Sequence, residues 1–547
     1  MQPVTLQLNI PARLEAGTTH ICTDPEEIAT WIGTLPLADP MESARILYSA
    51  LVELNRTAII PAKRLQIVET LRLTIHSTIE SLTKLHQTKV FPLGAKAQSI
   101  ADLVRELFAE LAISYKITLL ENENAADGGH AKIRTLAIHR AIRYLSTVLL
   151  QAYEIYAAPS PAGFWKEIHE IYHYAEQKNV QSETVADSTH TLNQLISIEN
   201  LYKRILLLTL ACPYRLRQGE AAAIYEQLEE WSDNATLSPL KETNDFTHGF
   251  LVNLETDEPP IHAQIEANGP IEHYRLLNTK ELAIELRDAI KQANDHPPGP
   301  GQIQTDLLTK DLLRRIYIAW NVNPKRKFSR APRMTSVMIS VGLRAIFDTI
   351  ASYQKEPINV DFDEKARFDL TTQDTRPVYW EMTDIPEWVT PPNNKPEQSE
   401  SPELNEWDVI NASAGGFCLL WSSTDVTNIQ IGELLCIKED EQSSQRAIGV
   451  VRWMRCKRRK GMEIGVEMLS PDAIAVPVRH QNNPNYFRAL QLAAIPSIGQ
   501  PAALITAVER CKEGDILLSK QAGQELALSL VKYIENTGHY AQFQIAK

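Results

Sequence analysis

Residues 1–320 carry apolar side chains at the spacing of amphipathic helices, and this pattern limits the fold more than any other feature. In 100–111 the apolar positions follow the i, i+3, i+4, i+7 rule, with Arg105, Glu106 and Glu110 between them. The spacing recurs at 44–54, 62–82, 133–156, 192–212 and 221–231. Pro61 suits the first turn of the helix that follows it. We therefore predict a mostly helical domain over 1–320.

Two details refine the prediction of a helical domain. Apolar runs at 250–254 and 261–263 flank a polar turn, which predicts a short β excursion near 248–263. Trp165, Ile168 and Tyr172 have the spacing of a tetratricopeptide-type helix, but the full repeat period does not recur clearly. We therefore describe the domain as repeat-like and do not assign it to a repeat family.

Strand patterns dominate after the Pro- and Gly-rich break at 296–301 and a last predicted helix at 305–320. The first strand is predicted at 336–343. The stretch near 385–404 is rich in Pro, Asn, Glu and Ser, which predicts a flexible insertion. The alternation around Leu526, Leu528 and Leu530 predicts a second, small β-rich unit over 484–547.

Two short motifs combine arginines with small polar residues. Arg326 and Arg330 are four positions apart, and each planar guanidinium can bond phosphate oxygens, or the O6/N7 edge of guanine, through two parallel hydrogen bonds. Asn411 and Ser413 are two apart, so on a strand they project to one face. Gly416 permits positive φ and close backbone approach. These five are the candidate ligand-binding residues.

The motifs RxxxR at 326–330 and NxSxxG at 411–416, followed by strand patterns at 447–453 and 461–467, resemble the PilZ-domain signature. PilZ domains are small β-barrels, and many bind cyclic di-GMP. The resemblance implies a PilZ-like β-barrel over 321–475. Together with the mostly helical N-terminal domain over 1–320 and the β-rich unit over 484–547, it gives an α+β multidomain chain. The resemblance also implies cyclic di-GMP as ligand, no other cofactor and no catalytic residue.

A basic cluster that includes Arg455 lies before Gly461, and this position predicts that the cluster forms the tip of a hairpin. It is either a solvated turn or an extra contact to ligand phosphates or an acidic partner. Arg333 and Arg455 are the candidates for such additional ligand contacts.

The sequence also contains a literal HExxH motif, formed by His169, Glu170 and His173 on a predicted helix. In zinc hydrolases two such histidines bind the metal and the glutamate activates water. No third ligand stands out downstream, and the neighbours Phe164 and Trp165 look like a packing face. We therefore interpret the histidines as structural and predict no metal site.

Composition narrows the function further. The net charge of −13 argues against a nucleic-acid partner. The six cysteines stand singly, without a CxxC pair, which favours a reducing compartment. Neither a secretory signal nor an apolar run of about 20 residues is visible, so we expect no membrane insertion and a cytoplasmic location.

Together these features predict a cytoplasmic bacterial cyclic di-GMP receptor that is not an enzyme, with an unidentified protein partner on its helical domain. The resemblance implies an effector of surface attachment, motility or pili. Because Arg326 and Arg330 lie between the last helix and the barrel, the ligand is expected to order this connector. The alternatives are a ligand-free PilZ-like scaffold whose helices bind proteins and, third, a zinc hydrolase.

Overall fold

The chain divides into two compact units. Unit 1 comprises Met1–Arg326, Ser423–Thr427 and Trp453–Met462, and unit 2 comprises Lys327–Ser422, Asn428–Arg452 and Glu463–Lys547. The computed structural model describes residues 6–14, 21–85, 91–123, 130–158, 162–189, 195–241, 246–263, 269–295, 308–321, 329–354, 357–363, 405–423, 427, 429–439, 446–457, 461–496, 499–521 and 524–546.

Unit 1 is mostly helical, as predicted. Over its described residues the α-helices are α1 (Pro25–Ile32), α2 (Pro40–Leu54), α3 (Pro61–Leu85), α4 (Ala95–Glu123), α5 (His130–Glu154), α6 (Phe164–Gln177), α7 (Ile198–Leu210), α8 (Glu220–Trp231), α9 (Lys280–Asp295) and α10 (Lys310–Asn321). No helix in the described part of the chain combines the length and the apolar character needed to cross a bilayer.

Local sequence explains where several helices begin. The Asp39 carboxylate accepts hydrogen bonds from the backbone N–H groups of Met41 and Glu42, both at 3.1 Å, and Pro40 opens α2. Pro61 opens α3, as predicted. The helix predicted at 192–212 begins only at Ile198, because Ser197 caps it by accepting from the N–H of Asn200 at 3.1 Å.

The described residues of unit 1 also form two small sheets. The predicted β excursion is confirmed as β4 (Gly249–Asn253) and β5 (Ile261–His262), paired through Phe250 and His262. The strands not predicted are β1 (Thr184–Ala186), β2 (Leu195–Ser197), β3 (Thr236–Pro239) and β6 (Tyr274–Asn278). β1 pairs with β2, and the larger sheet has the order β3-β6-β4-β5.

The histidines of the HExxH motif lie on α6 in the core of unit 1. His169 is fully buried, and burial lowers its pKa to about 4. Its Nδ1 lies 2.5 Å from the Tyr202 hydroxyl, and its Nε2 lies 2.9 Å from the Glu258 carbonyl oxygen. The carbonyl can only accept, so Nε2–H donates and the hydroxyl donates to Nδ1. No lone pair of the His169 ring remains for a metal.

A network of buried charges links four segments of unit 1. Asp187 directly follows β1 and is 1% exposed. Its carboxylate accepts from Arg72 of α3 at 3.0 Å and from Arg140 of α5 at 2.9 Å. Arg140 also donates to Glu69 at 3.0 Å, and the Tyr115 hydroxyl donates to the same carboxylate at 2.7 Å. The network therefore connects α3, α4 and α5 to the end of β1.

The described residues form two closed six-stranded barrels, which lie mostly in unit 2 and confirm the predicted α+β architecture. The first consists of β7 (Ala331–Val341), β8 (Asn405–Ser413), β9 (Gly416–Trp421), β10 (Leu434–Lys438), β11 (Ala447–Lys457) and β12 (Gly461–Ser470). The second consists of β13 (Ile474–His480), β14 (Phe487–Leu492), β15 (Ala503–Thr506), β16 (Ile516–Gln521), β17 (Gln524–Asn536) and β18 (Ala541–Ala546). The strand orders are β10-β11-β12-β9-β8-β7 and β13-β14-β15-β18-β17-β16.

Two strand positions differ from the sequence prediction. The first strand begins at Ala331 instead of 336. It ends at Val341 instead of 343, because α11 (Leu343–Ala351) begins after a single intervening residue. The second barrel begins at Ile474, before the predicted 484. The predicted flexible insertion near 385–404 lies outside the described residues.

The two barrels of unit 2 share a hydrophobic core. Ile346, Phe347 and Ile350 of α11 pack in one buried cluster with Leu434 of the first barrel and Leu490 of the second. A fully buried helix face between two sheets removes a large apolar area from water. The barrels therefore fold as parts of one unit.

Candidate ligand-binding site

The β7–β8 pairing brings Arg330, the described arginine of the first motif, next to the second motif. In the antiparallel register, Ala331 pairs with Ala412 and Pro332 pairs with Asn411. Arg330 directly precedes Ala331, so continuation of this register places it across from Ser413. Residues opposite each other on antiparallel strands have Cβ atoms about 5 Å apart. The structure therefore places Arg330, Asn411 and Ser413 at one end of one strand pair.

Arg330 and Asn411 are available to a ligand. Arg330 is exposed, and it forms no ion pair with any residue that the structure describes. Asn411 is half-buried, and its amide makes no hydrogen bond to a described residue. A guanidinium and a side-chain amide together supply donors for phosphate oxygens and for the edge of guanine.

A β-bulge sets the direction of Asn411. Val409 pairs with Leu419 and Asn411 pairs with Cys418, so Ile410 is the extra residue on β8. Bulges change the direction in which the following side chains point. Beyond the bulge the pairing is regular through Ser413, so Asn411 and Ser413 share a face, as their spacing predicts.

Ser413 is engaged in the turn that joins β8 to β9. Its hydroxyl oxygen accepts from the N–H of Gly415 at 3.3 Å and lies 3.4 Å from the carbonyl oxygen of Gly416, to which it donates. Both contacts are long for hydrogen bonds, which prefer shorter separations. The hydroxyl can therefore exchange them for a ligand contact at small cost.

Gly416 has a clear packing role. Its φ is +148°, and a Cβ atom built there would lie 1.9 Å from the Val466 carbonyl oxygen. The adjoining backbone is fixed by the N–H of Met468, which donates to the Gly415 carbonyl at 3.0 Å. Only glycine allows β9 and β12 to approach so closely. A direct contact of Gly416 with ligand stays a prediction.

The two candidates for additional contacts lie in different surroundings. Arg333 forms an exposed ion pair with Glu439, with its Nη2 at 2.9 Å from Oε2. Arg455 belongs to unit 1, where its guanidinium lies 5.6 Å from the centroid of the Tyr214 ring. Arg326 lies outside the described residues. The pairing between β7 and β8 thus brings together Arg330, Asn411 and Ser413.

Sequence reasoning missed one residue beside this site. Glu439 directly follows β10, at the start of an acidic run, Glu439-Asp440-Glu441, which was visible in the sequence as a partner for the basic motif. Its carboxylate holds Arg333, and a ligand phosphate would have to displace that carboxylate to reach the same guanidinium. Arg333 is therefore less available than Arg330.

Comparison with known proteins identifies the family. Three family models match in succession: "Cyclic-di-GMP receptor FimW, N-terminal domain" over 26–242, "Cyclic-di-GMP receptor FimW, middle PilZ domain" over 249–355 and 354–475, and "FimW C-terminal beta-barrel domain" over 474–547. The curated relative "Cyclic-di-GMP receptor FimW" from Pseudomonas aeruginosa is 26% identical over 571 aligned residues, which cover 98% of this chain and 93% of the relative. No solved structure matches the chain. Because the three family models follow one another along almost the whole sequence, the chain belongs to the family of PilZ-domain cyclic-di-GMP receptors.

Proposed function

We propose that the chain is a bacterial cyclic di-GMP receptor, without catalytic activity, that acts in the cytoplasm and regulates surface attachment, motility or pili. The ligand is held by Arg326, Arg330, Asn411 and Ser413. The observation that carries this proposal is the β7–β8 register, whose continuation by one residue before Ala331 would set Arg330 across from Ser413 and near Asn411. The family membership and the name of the Pseudomonas relative support the choice of ligand.

The chemistry of the site fits an anionic purine dinucleotide. Arg330 supplies a fork of donors for a phosphate or for guanine O6 and N7. Asn411 supplies both a donor and an acceptor, which a guanine edge can use. No carboxylate of a described residue pairs with Arg330, so ligand binding there need not break an existing ion pair.

Arg330→Ala is expected to weaken cyclic di-GMP binding about 5- to 150-fold, because one bidentate contact contributes roughly 1–3 kcal/mol. Isothermal titration calorimetry on the full chain measures this, with GTP and cyclic di-AMP as ligand controls. Arg344→Ala is the matched variant, because Arg344 is an exposed arginine on α11 of the same unit, with 57% of its side chain accessible.

The results separate the receptor from the ligand-free scaffold. Absence of cyclic di-GMP binding to the unmodified chain would discard the receptor proposal. Tight binding that Arg330→Ala and Arg326→Ala both leave unchanged would keep the receptor and discard this site.

We also infer that the ligand orders the connector between α10 and β7. The end of α10 is firmly held in unit 1, because Trp320 is fully buried and its Nε1–H donates to the Leu207 carbonyl at 2.9 Å. The connector then carries Arg326 and Arg330, whose charges repel until two phosphates compensate them. Because the ligand contacts differ between connector conformations, ligand binding would shift their populations. A protein partner bound to the helices would respond to this change.

Hydrogen exchange over 322–333 tests the connector proposal. Cyclic di-GMP should slow exchange in this segment and change protection on at least one helical face of unit 1. The Arg344→Ala variant should respond like the unmodified chain. Tight binding without any change in these regions would rule out the switch and leave a passive ligand site.

A further inference from the structure

Three side chains with metal-binding atoms converge at one end of the second barrel. His480 ends β13, while Cys511 and Asp515 lie in the segment between β15 and β16. One ring nitrogen of His480, the Sγ of Cys511 and one carboxylate oxygen of Asp515 all lie within 4.8 Å of one another. The cluster is distant in sequence from the motifs of the ligand-binding site, and the proposed function does not use it.

His480 is oriented by its backbone contact. Its Nε2 lies 2.9 Å from the Arg510 carbonyl oxygen, which can only accept, so Nε2–H donates. The lone pair of the neutral ring is then on Nδ1, which accepts no hydrogen bond from a described residue. The ring also packs against Phe487, with centroids 5.8 Å apart. Metal-binding histidines commonly have their second nitrogen fixed by a carbonyl in this way.

Cys511 and Asp515 are held on one tight turn. The N–H of Lys512 donates to Asp515 Oδ2 at 2.8 Å, and the N–H of Asp515 donates to the Lys512 carbonyl at 3.2 Å. Gly514 completes the turn with a φ of +92°. Cys511 is 8% exposed, and Asp515 is half-buried. The thiol and the carboxylate therefore approach His480 from one rigid segment that lies partly out of water.

We propose that His480, Cys511 and Asp515 bind a divalent zinc ion. An imidazole, a thiolate and a carboxylate are the three ligand types that zinc prefers. With a neutral imidazole, the thiolate and the carboxylate balance the two charges of the ion. The positive charge of nearby Arg510 is offset by Asp363, at 3.7 Å. Three protein ligands leave a fourth position of the tetrahedron open to water or to a further ligand.

The ion would tie the end of β13 to the β15–β16 segment. The register pairs His480 with Leu517 of β16, so a metal link would close the β13–β16 seam at its end. A bound ion stabilises the folded state by mass action, since the unfolded chain does not hold the three ligands together. The role we assign to the ion is therefore to stabilise the second barrel.

Substitution with Co²⁺ tests the site, because cobalt takes zinc positions and a cobalt–thiolate bond gives a near-ultraviolet charge-transfer band. The full chain, stripped of metal and titrated with Co²⁺, should develop this band with one equivalent, and added Zn²⁺ should remove it. Cys511→Ser should abolish the band. Asp515→Asn should weaken Zn²⁺ binding by at least the roughly 10- to 100-fold that loss of an outer-shell partner costs.

Cys212→Ser is the matched control, because Cys212 is an exposed cysteine of unit 1 and should leave the band unchanged. Circular dichroism of each variant checks that it is folded. If Cys511→Ser does not fold, the weakened Zn²⁺ binding expected of Asp515→Asn is the test of the site. No band in the unmodified chain, or a band that persists in folded Cys511→Ser, would overturn the proposal.

Discussion

Replacement of Gly416 by alanine is expected to destabilise the first barrel by about 3–5 kcal/mol, which is among the largest effects of single substitutions. The added Cβ would lie 1.9 Å from the Val466 carbonyl oxygen and 3.1 Å from the Cα of Glu467, so backbone would have to move. The φ of +148° adds strain for any residue with a side chain. Native-state hydrogen exchange at the buried β9 residue Leu419 measures the loss as a lower opening free energy.

Gly514→Ala is the control for this prediction. Gly514 also has a positive φ, +92°, but no described atom beyond its chain neighbours lies within 4 Å of the position that a Cβ would take, so alanine adds strain without a clash. Its cost should be about 1–2 kcal/mol. Equal losses at the two glycines would refute the steric explanation for Gly416. Unchanged stability with lost cyclic di-GMP binding in Gly416→Ala would instead assign this glycine to the ligand.

The helices of unit 1 were predictable because their signals are local. Apolar spacing within a few turns marks the buried face, and residues such as Asp39 and Pro61 mark the helix starts. The start of α7 was placed too early, since the apolar pattern continues through β2, and only the Ser197 cap separates the two elements.

The strand starts were harder to predict for physical reasons. β7 begins at Ala331, but all residues from Ala331 to Ser336 are exposed, so no burial alternation marks the first half of this strand. β13 contains Pro477, and a proline inside an apolar run argues against a strand. In the barrel Pro477 pairs with Arg488, which the local sequence does not reveal.

The candidate site was predictable in its residue types and not in its geometry. Arginine chemistry and the spacing of Asn411 and Ser413 are visible in the sequence. The bulge at Ile410 and the pairing of Arg333 with Glu439 depend on strand register, which long-range packing decides. The convergence of His480 with Cys511 likewise depends on closure of the second barrel. The sequence, in which the cysteines stand singly, therefore gives no indication of this candidate metal site.

Removal of the Asp187 carboxylate is expected to cost unit 1 about 3–5 kcal/mol, because it leaves Glu69 as the remaining carboxylate partner for the two buried guanidinium groups of Arg72 and Arg140. Both arginine side chains are at most 6% exposed, so water cannot replace the carboxylate. Hydrogen exchange of buried α5 amides such as Ile142 should report the loss in Asp187→Ala. Glu80→Ala, which removes an exposed ion pair with Lys84 on α3, is the matched control and should leave exchange unchanged.

The pH dependence distinguishes the lost charge from lost packing. Burial alone would raise the pKa of Asp187, but Arg140, Arg72 and Arg143 outweigh it and hold the pKa well below the ordinary value of 3.8. A lowered carboxyl pKa contributes stability that is complete above the unfolded-state pKa and decreases as the pH falls below it. The nearly isosteric Asp187→Asn variant lacks this titration. The stability difference between the unmodified chain and Asp187→Asn should therefore be constant near neutral pH and shrink below about pH 4. A difference that stays the same on acidification would show that the carboxylate acts through its shape and hydrogen bonds instead of its charge.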